Sequence, residues 1–222
     1  MKAGVIGVVD GSFRKVGSTT ETVTRDGQTL GRALEIDRVF SLPSGSMAFS
    51  GRAAAERIHN GREATIRDGQ ISVTERNGVV TDMTEFVGVT GEFVVVESGD
   101  GAFAFDLIAN ETDTAIERAT LDLDAFYSAH GEATPWKAGF YANGPGGMNG
   151  IFHGQDLREN HDIEAILENS RLNQVGLRYL FGDDEVKMTA ARSGYVEVYQ
   201  PSEYDSADYL DYVREQIVPH LE

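Results

Sequence analysis

Two Asp-Gly dipeptides, Asp26-Gly27 and Asp68-Gly69, each lie between stretches that alternate in polarity. A two-residue hairpin connection needs positive φ at its central positions, a backbone that Asp-Gly adopts readily. The pattern therefore predicts a hairpin of 62–67 with 70–75, and a second of 19–25 with 28–36. Asp10-Gly11 and Asn77-Gly78 read as further turns in the same half of the chain. Residues 86–97 and 102–108 read as paired strands joined through Ser98-Gly99-Asp100-Gly101. A short helix is expected at 52–59, where Ala53-Ala54-Ala55 precedes Glu56 and Ile58.

A long helix is expected over 111–130. Asn110 would cap it, Asp113 would sit in its first turn, and Ile116, Ala119, Leu123, Phe126 and Tyr127 would form its apolar stripe. Residues 131–150 hold Pro135, Pro145 and a run of glycines, and read as a hinge or long loop. A further helix is expected at 162–170. The last third predicts a three-stranded meander over 174–181, 185–191 and 195–199. Pro201 closes it, Ser202 to Asp205 reads as a capping box, and a helix runs on to about Val218.

The fold class is thus α+β: antiparallel hairpins and meanders backed by a few helices on one face. The boundaries fall at 1–130, a β-rich region ending in the long helix; 131–150, the loop; and 151–222, helix, meander and closing helix. One continuous domain is equally compatible with 222 residues.

Charge divides the chain differently. Residues 1–80 hold eleven Lys and Arg against nine Asp and Glu, a net of +2, while 81–222 hold eight against twenty-seven, a net of −19. The total is −17, and the basic residues are fifteen Arg and four Lys. This composition resembles the proteome style of extremely halophilic archaea. At molar salt the screening length is only about 3 Å, so surface carboxylates stop repelling one another. At low salt the same charge would strain the compact state. The style implies a haloarchaeon or one of its viruses, and a high-salt cytosol or a virion as the setting. The absence of cysteine excludes disulfides, thiolate metal sites and cysteine catalysis. There is no apolar run of membrane-spanning length, and the start, Met1 to Asp10, reads as a strand instead of a signal peptide.

Few motifs carry chemistry. Asp10 ends an apolar strand, and a strand-end carboxylate followed by a hairpin resembles the opening of ribonuclease-H-like nucleases and actin-like ATPases. That resemblance implies Asp10 as a Mg²⁺ ligand, with Glu56 as a second. The same Asp-Gly dipeptide recurs as a plain turn at Asp26 and Asp68, and this reading is preferred. His153, Asp156, His161 and Asp162 lie within ten residues but lack a helical ligand spacing, so no metal is assigned. His59, His130 and His220 fall at expected helix ends, where an imidazolium meets the C-terminal dipole. The glycine-rich stretch 143–150 lacks the lysine of a phosphate cradle. No Gly-x-Ser-x-Gly elbow, nucleotide fingerprint, zinc finger or helix-turn-helix is present.

The near-neutral first third is the part to explain. Arg14, Lys15, Arg52, Arg57, Arg62 and Arg67 lie there, and Trp136, the one tryptophan, is a candidate anchor outside it. Interfaces exclude carboxylates and favour arginine. Nucleic acid also takes arginine, but molar salt removes most of the counterion-release gain. The sequence therefore points to a non-enzymatic binding, regulatory or assembly protein without a cofactor, using 1–80 to meet a protein partner or itself. The alternative is a nucleic-acid-associated protein, with Mg²⁺-dependent nuclease chemistry at Asp10.

Overall fold

The two Asp-Gly turns form as the sequence requires. In the computed structural model, which describes residues 1–141, 149–163 and 171–222, Asp26 and Asp68 have φ of 50° and 52°, and their glycines 75° and 73°. Each closes a hairpin. Strand β2 (Thr19–Arg25) pairs with β3 (Gln28–Ser41), and β4 (Met47–Arg67) with β5 (Gln70–Val89). The second hairpin is far longer than the alternation around its turn suggested, with an unbroken register from Ala48↔Val89 to Arg67↔Gln70.

These strands belong to one antiparallel sheet of twelve. Its remaining members are β1 (Ala3–Asp10), β6 (Phe93–Val96), β7 (Ala115–Arg118), β8 (Thr134–Tyr141), β9 (Asn149–His153), β10 (Arg171–Phe181), β11 (Asp184–Ala191) and β12 (Tyr195–Gln200). The order is β2-β3-β4-β5-β6-β1-β12-β11-β10-β8-β9, with β7 paired to the far half of β1 beside β12. β1 is therefore the seam between an N-terminal and a C-terminal half, and a single sheet runs through both. The meander expected at the C-terminus is present as β10, β11 and β12.

Alternation along the central strands sorts their side chains into two cores. Phe93 and Val95 of β6 enter the larger one, with Ile6, Phe126, Tyr209, Tyr212 and Ile217. Val94 and Val96 enter the smaller one, with Val5, Val9, Phe49, Phe86, Phe105 and Ile108. The smaller core is closed by helix α1 (Phe103–Thr112). The larger is closed by α2 (Leu123–Ala129) and α3 (Ser206–Tyr212), which continues as a π turn over Val213–Ile217. Helices thus cover both faces of the sheet, not one. The reason lies in β1 and β6, which are apolar on both sides and so demand cover on both. Gly7 of β1 leaves room for the Phe105 ring of α1, since a Cβ there would meet that ring at 2.9 Å.

Several local expectations are overturned. Residues 52–59 are strand, inside β4: Ala53 is buried in the smaller core, and the sheet ladder overrides the helix propensity of the alanine run. Residues 103–112 are helix where a strand was expected. The supposed long helix over 111–130 is the end of α1, then β7, then α2. Asp113, in left-handed conformation at φ 53°, terminates α1 instead of opening a helix. Asp122, not Asn110, supplies a cap, accepting hydrogen bonds from the backbone N–H of Asp124 and Ala125 at 3.2 and 3.1 Å. The apolar stripe mixes positions from both cores, Ile116 in the smaller and Ala119, Leu123 and Phe126 in the larger. Residues 86–97 are two strands around Gly91, at φ 70°. Asn77-Gly78 lies within β5 and is not a turn.

The loop expected at 131–150 contains β8 and begins β9, while 142–148 lie outside the described residues. Most of the helix expected at 162–170 also lies outside them. The capping box belongs three residues later than expected. Asp205 accepts from the N–H groups of Ala207 and Asp208, and the Asp208 carboxylate accepts from the Asp205 N–H at 2.9 Å. Among the described residues no helix is long and apolar enough to cross a membrane.

Candidate interaction ribbon

Pairing to β3 ends at Arg32↔Ala55, and pairing to β6 begins only at Phe86↔Val96. Between those limits, and among the described residues, the backbone ladder of β4 and β5 runs between the two alone, save for Glu85 O, which accepts from the Glu97 N–H at 3.2 Å below the ribbon's root. Residues 56–67 and 70–81 so form a two-stranded ribbon, about 40 Å long at ~3.4 Å per residue. Every residue from 62 to 75 is exposed. At the root, the Glu56 carboxylate accepts a hydrogen bond from the Gly31 N–H at 2.6 Å. It thereby satisfies a backbone donor of β3 where the ladder to β4 stops.

Side chains alternate across a ribbon, and register partners share a side. One side carries Ile58 and Val79, then Arg62 and Glu75, then Ala64 and Val73, then Ile66 and Ile71 at the tip. Ile66, Ile71 and Val73 are 75%, 73% and 56% exposed, and Met83, lower on the same side, is 66% exposed. Further down the sheet this side is buried at Ala48, Val87 and Val89 in the larger core. The side that enters the larger core therefore runs outward uncovered, interrupted by the polar levels Arg52/Glu85, Glu56/Thr81, Asn60 and Arg62/Glu75 and apolar again at the tip. The opposite side carries Arg57, His59, Glu63, Thr65, Arg67, Gln70, Ser72 and Thr74.

The five-residue spacing of Arg52, Arg57, Arg62 and Arg67 fits no single strand face, because an odd step changes sides. Arg52 and Arg62 take one side, Arg57 and Arg67 the other. Arg52 bridges Glu35 at 2.9 Å and Asp37 at 3.4 Å. Arg57 is hydrogen-bonded to the carboxylate of Asp82, which pushes the guanidinium pKa further up. Arg14 and Lys15 are exposed between β1 and β2, off the ribbon.

Trp136 is elsewhere altogether, on β8 in the C-terminal half. Its indole N–H donates to Leu177 O at 3.3 Å, the Lys187 ammonium lies 4.5 Å from its ring centroid, and Tyr199 packs edge-on at 5.7 Å. These contacts make it a packed side chain of that half.

The two candidate Mg²⁺ ligands are not brought together. Asp10 lies on β1 and Glu56 on β4, three strand positions apart. Strand spacing alone separates them by about 14 Å, against the ~2.1 Å bonds of a shared Mg²⁺. Among the described residues no group of three or more His, Asp or Glu side chains is placed to hold a metal. Asp156 is engaged by Arg158, which holds its carboxyl below the usual range. His59 is in strand β4, not at a helix end. His130 does sit at the end of α2, with Nδ1 2.8 Å from Phe126 O and Nε2 3.1 Å from Gln216 Oε1. A cleft of about 800 Å³ opens beside it, lined by Glu132, Arg178, Tyr179 and Glu185 among others. Both imidazole nitrogens already have partners.

The apolar side of the ribbon was missed as a site. Its signal lies in the alternation of Ala64 and Ile66 with Ile71 and Val73, which the five-residue spacing of the arginines masks. No protein-family model and no curated protein matches the chain, so function has to be argued from its own geometry.

Proposed function

We propose that the protein is a non-enzymatic binding or assembly component, and that the β4–β5 ribbon is the arm with which it grips a protein partner. The observation that carries this is the uncovered apolar side of a ribbon whose two edges are also unpaired. An isolated two-stranded hairpin is marginally stable in water, and high salt strengthens apolar association further. A partner that covers Ile66, Ile71, Val73 and Val79 supplies what the ribbon lacks. The composition supports a high-salt setting, a haloarchaeal cytosol or a virion of such a host.

Nucleic acid is the second reading, favoured by one feature: a two-stranded ribbon bearing Arg57 and Arg67 on one side has the dimensions of a groove binder. Charge weighs against it. Over 56–81 four arginines are matched by four carboxylates, on a chain of −17, and phosphate contacts weaken steeply with salt.

The test is a shortened variant in which residues 60–77 are replaced by Asn-Gly, keeping the His59↔Gly78 pair as the last rung. In about 3 M KCl, light scattering and hydrogen exchange are compared with the full chain. The proposal expects an association that protects ribbon amides in the full chain and is lost in the variant. Unprotected ribbon amides under every condition, with or without cell extract, would refute it. Retention of the full chain on DNA or RNA at molar salt would favour the second reading.

A further inference from the structure

We propose that the occupant of the ribbon's apolar side is a second copy of this chain, docked ribbon on ribbon about a twofold axis running along the ribbons. The inference rests on the reading of the ribbon as a protein interface. A twofold contact must be self-complementary, and this surface is. Rotation about an axis lying lengthwise between two stacked ribbons carries β4 of one copy over β5 of the other. Each residue then faces the counterpart of its own register partner. Ile66 meets Ile71 of the second copy, Ala64 meets Val73, and Arg62 meets Glu75, because these are the pairs at each level of the hairpin. A twofold axis set across the ribbons would stack β4 on β4 with the levels reversed; placed at Ala64, for example, it would turn Arg62 toward Ile66 of the second copy, so the lengthwise axis is favoured.

Charge selects the same occupant. On a chain of −17, most surfaces would bury an excess of carboxylates against a second copy, whereas residues 56–81 carry four arginines against four carboxylates. Joining the copies there sets neutral surface on neutral surface instead of carboxylate on carboxylate. Area agrees as well. The exposed fractions of Ile66, Ile71 and Val73 leave on the order of 300 Å² of adjoining apolar side chain uncovered at the tip, within the range of the largest patch on a monomer. At the usual interface composition, somewhat over half apolar, that corresponds to roughly 550 Å² per copy, the size of a small, reversible interface.

The experiment is sedimentation equilibrium in about 3 M KCl on the full chain, on Arg62→Glu, on Glu75→Arg, and on a mixture of the two variants. The full chain is expected to dimerise. Each variant alone sets like charges opposite each other twice and is expected to dimerise at least tenfold more weakly. The mixture restores both opposite-charge contacts across the interface and is expected to recover dimer, although each chain keeps its own mismatched pair. Both substituted positions are exposed, and circular dichroism checks that each chain is folded. A full chain that stays monomeric, or a mixture no better than its components, overturns the self-pairing. If the monomeric chain's ribbon amides become protected only when another protein is added, self-pairing is overturned while the interface reading stands. If they are protected by nothing, both fall.

Discussion

Ile66 and Ile71 lie directly opposite each other across β4 and β5, and about three-quarters of each is in solvent. A cross-strand pair of β-branched residues stabilises a hairpin locally, but among the described residues nothing covers this pair. On the proposed reading this pair, at the tip of a ribbon otherwise rich in Thr, Ser, Arg and Glu, is the centre of the contact with the partner. Replacing both with threonine keeps β propensity and removes the apolar contact. The folding stability of the monomer should change by no more than about 0.5 kcal/mol per site, read by chemical denaturation. Association should weaken by at least tenfold, read by light scattering.

Glu56 is expected to matter for folding and not for metal chemistry. Glu56→Ala removes the acceptor for the Gly31 N–H. It should cost about 1 kcal/mol and speed hydrogen exchange at Gly31. Mg²⁺ should not alter the melting curve of either form. A Mg²⁺-dependent shift abolished in both Glu56→Ala and Asp10→Asn would reinstate the shared-ion reading that the sheet order argues against.

Tyr209 is fully buried and its hydroxyl donates to Val196 O at 3.1 Å. Tyr209→Phe leaves that carbonyl without its side-chain donor in the larger core. The cost should be about 1–3 kcal/mol, measured by denaturant unfolding. Tyr199→Phe removes a hydroxyl bound to Glu197 at 2.9 Å at an exposed position, and should cost much less.

Acid should destabilise the fold through His220. Burial, aided by the neighbouring His130 and opposed by Asp122, lowers its pKa from the ordinary 6.5. Between the lowered folded value and 6.5 the unfolded chain binds more protons, so stability rises with pH in that window. The contribution is complete above the unfolded value and is lost as pH falls through the folded one. Thermal midpoints between pH 7.5 and 5 should fall on the acid side, and His220→Gln should flatten that part of the profile.

Much of the fold was legible in the sequence where local chemistry decides. Asp26-Gly27 and Asp68-Gly69 dictate their turns through backbone conformation alone, and the C-terminal meander follows from alternation between short turns. Failures came where packing outvoted propensity. Ala53 to Ala55 favour helix in isolation, yet Ala53 sits in the smaller core because the ladder of β4 holds it there. Phe103 to Ile108 are apolar enough for a strand, but form α1 because the smaller core needs a lid. The stripe from Ile116 to Phe126 looked continuous because residues destined for two opposite cores happen to fall at helical spacing. Of the arginines singled out in the first third, Arg57, Arg62 and Arg67 lie on the ribbon. Arg14, Lys15 and Trp136 do not. What sequence could not supply was the length over which β4 and β5 leave the sheet, since that depends on where β3 and β6 stop.

A chain of −17 should also depend on salt. Raising KCl from about 0.2 to 3 M should raise the melting temperature of the monomeric double-threonine variant, through screening of the carboxylates of 81–222. A flat response would remove the argument for a high-salt setting while leaving the ribbon untouched.

The central claim is that the ribbon is an arm ordered by what it grips. Hydrogen exchange with mass spectrometry reads this directly on residues 58–66 and 71–79. The full chain is compared with the double-threonine variant in about 3 M KCl, at a concentration where the full chain associates. Slow exchange of those amides in the full chain and fast exchange in the variant, with β6 and β12 equally protected in both, is the expected result. Equally fast exchange of the ribbon in both chains while the full chain still associates would place the interface elsewhere and contradict the account.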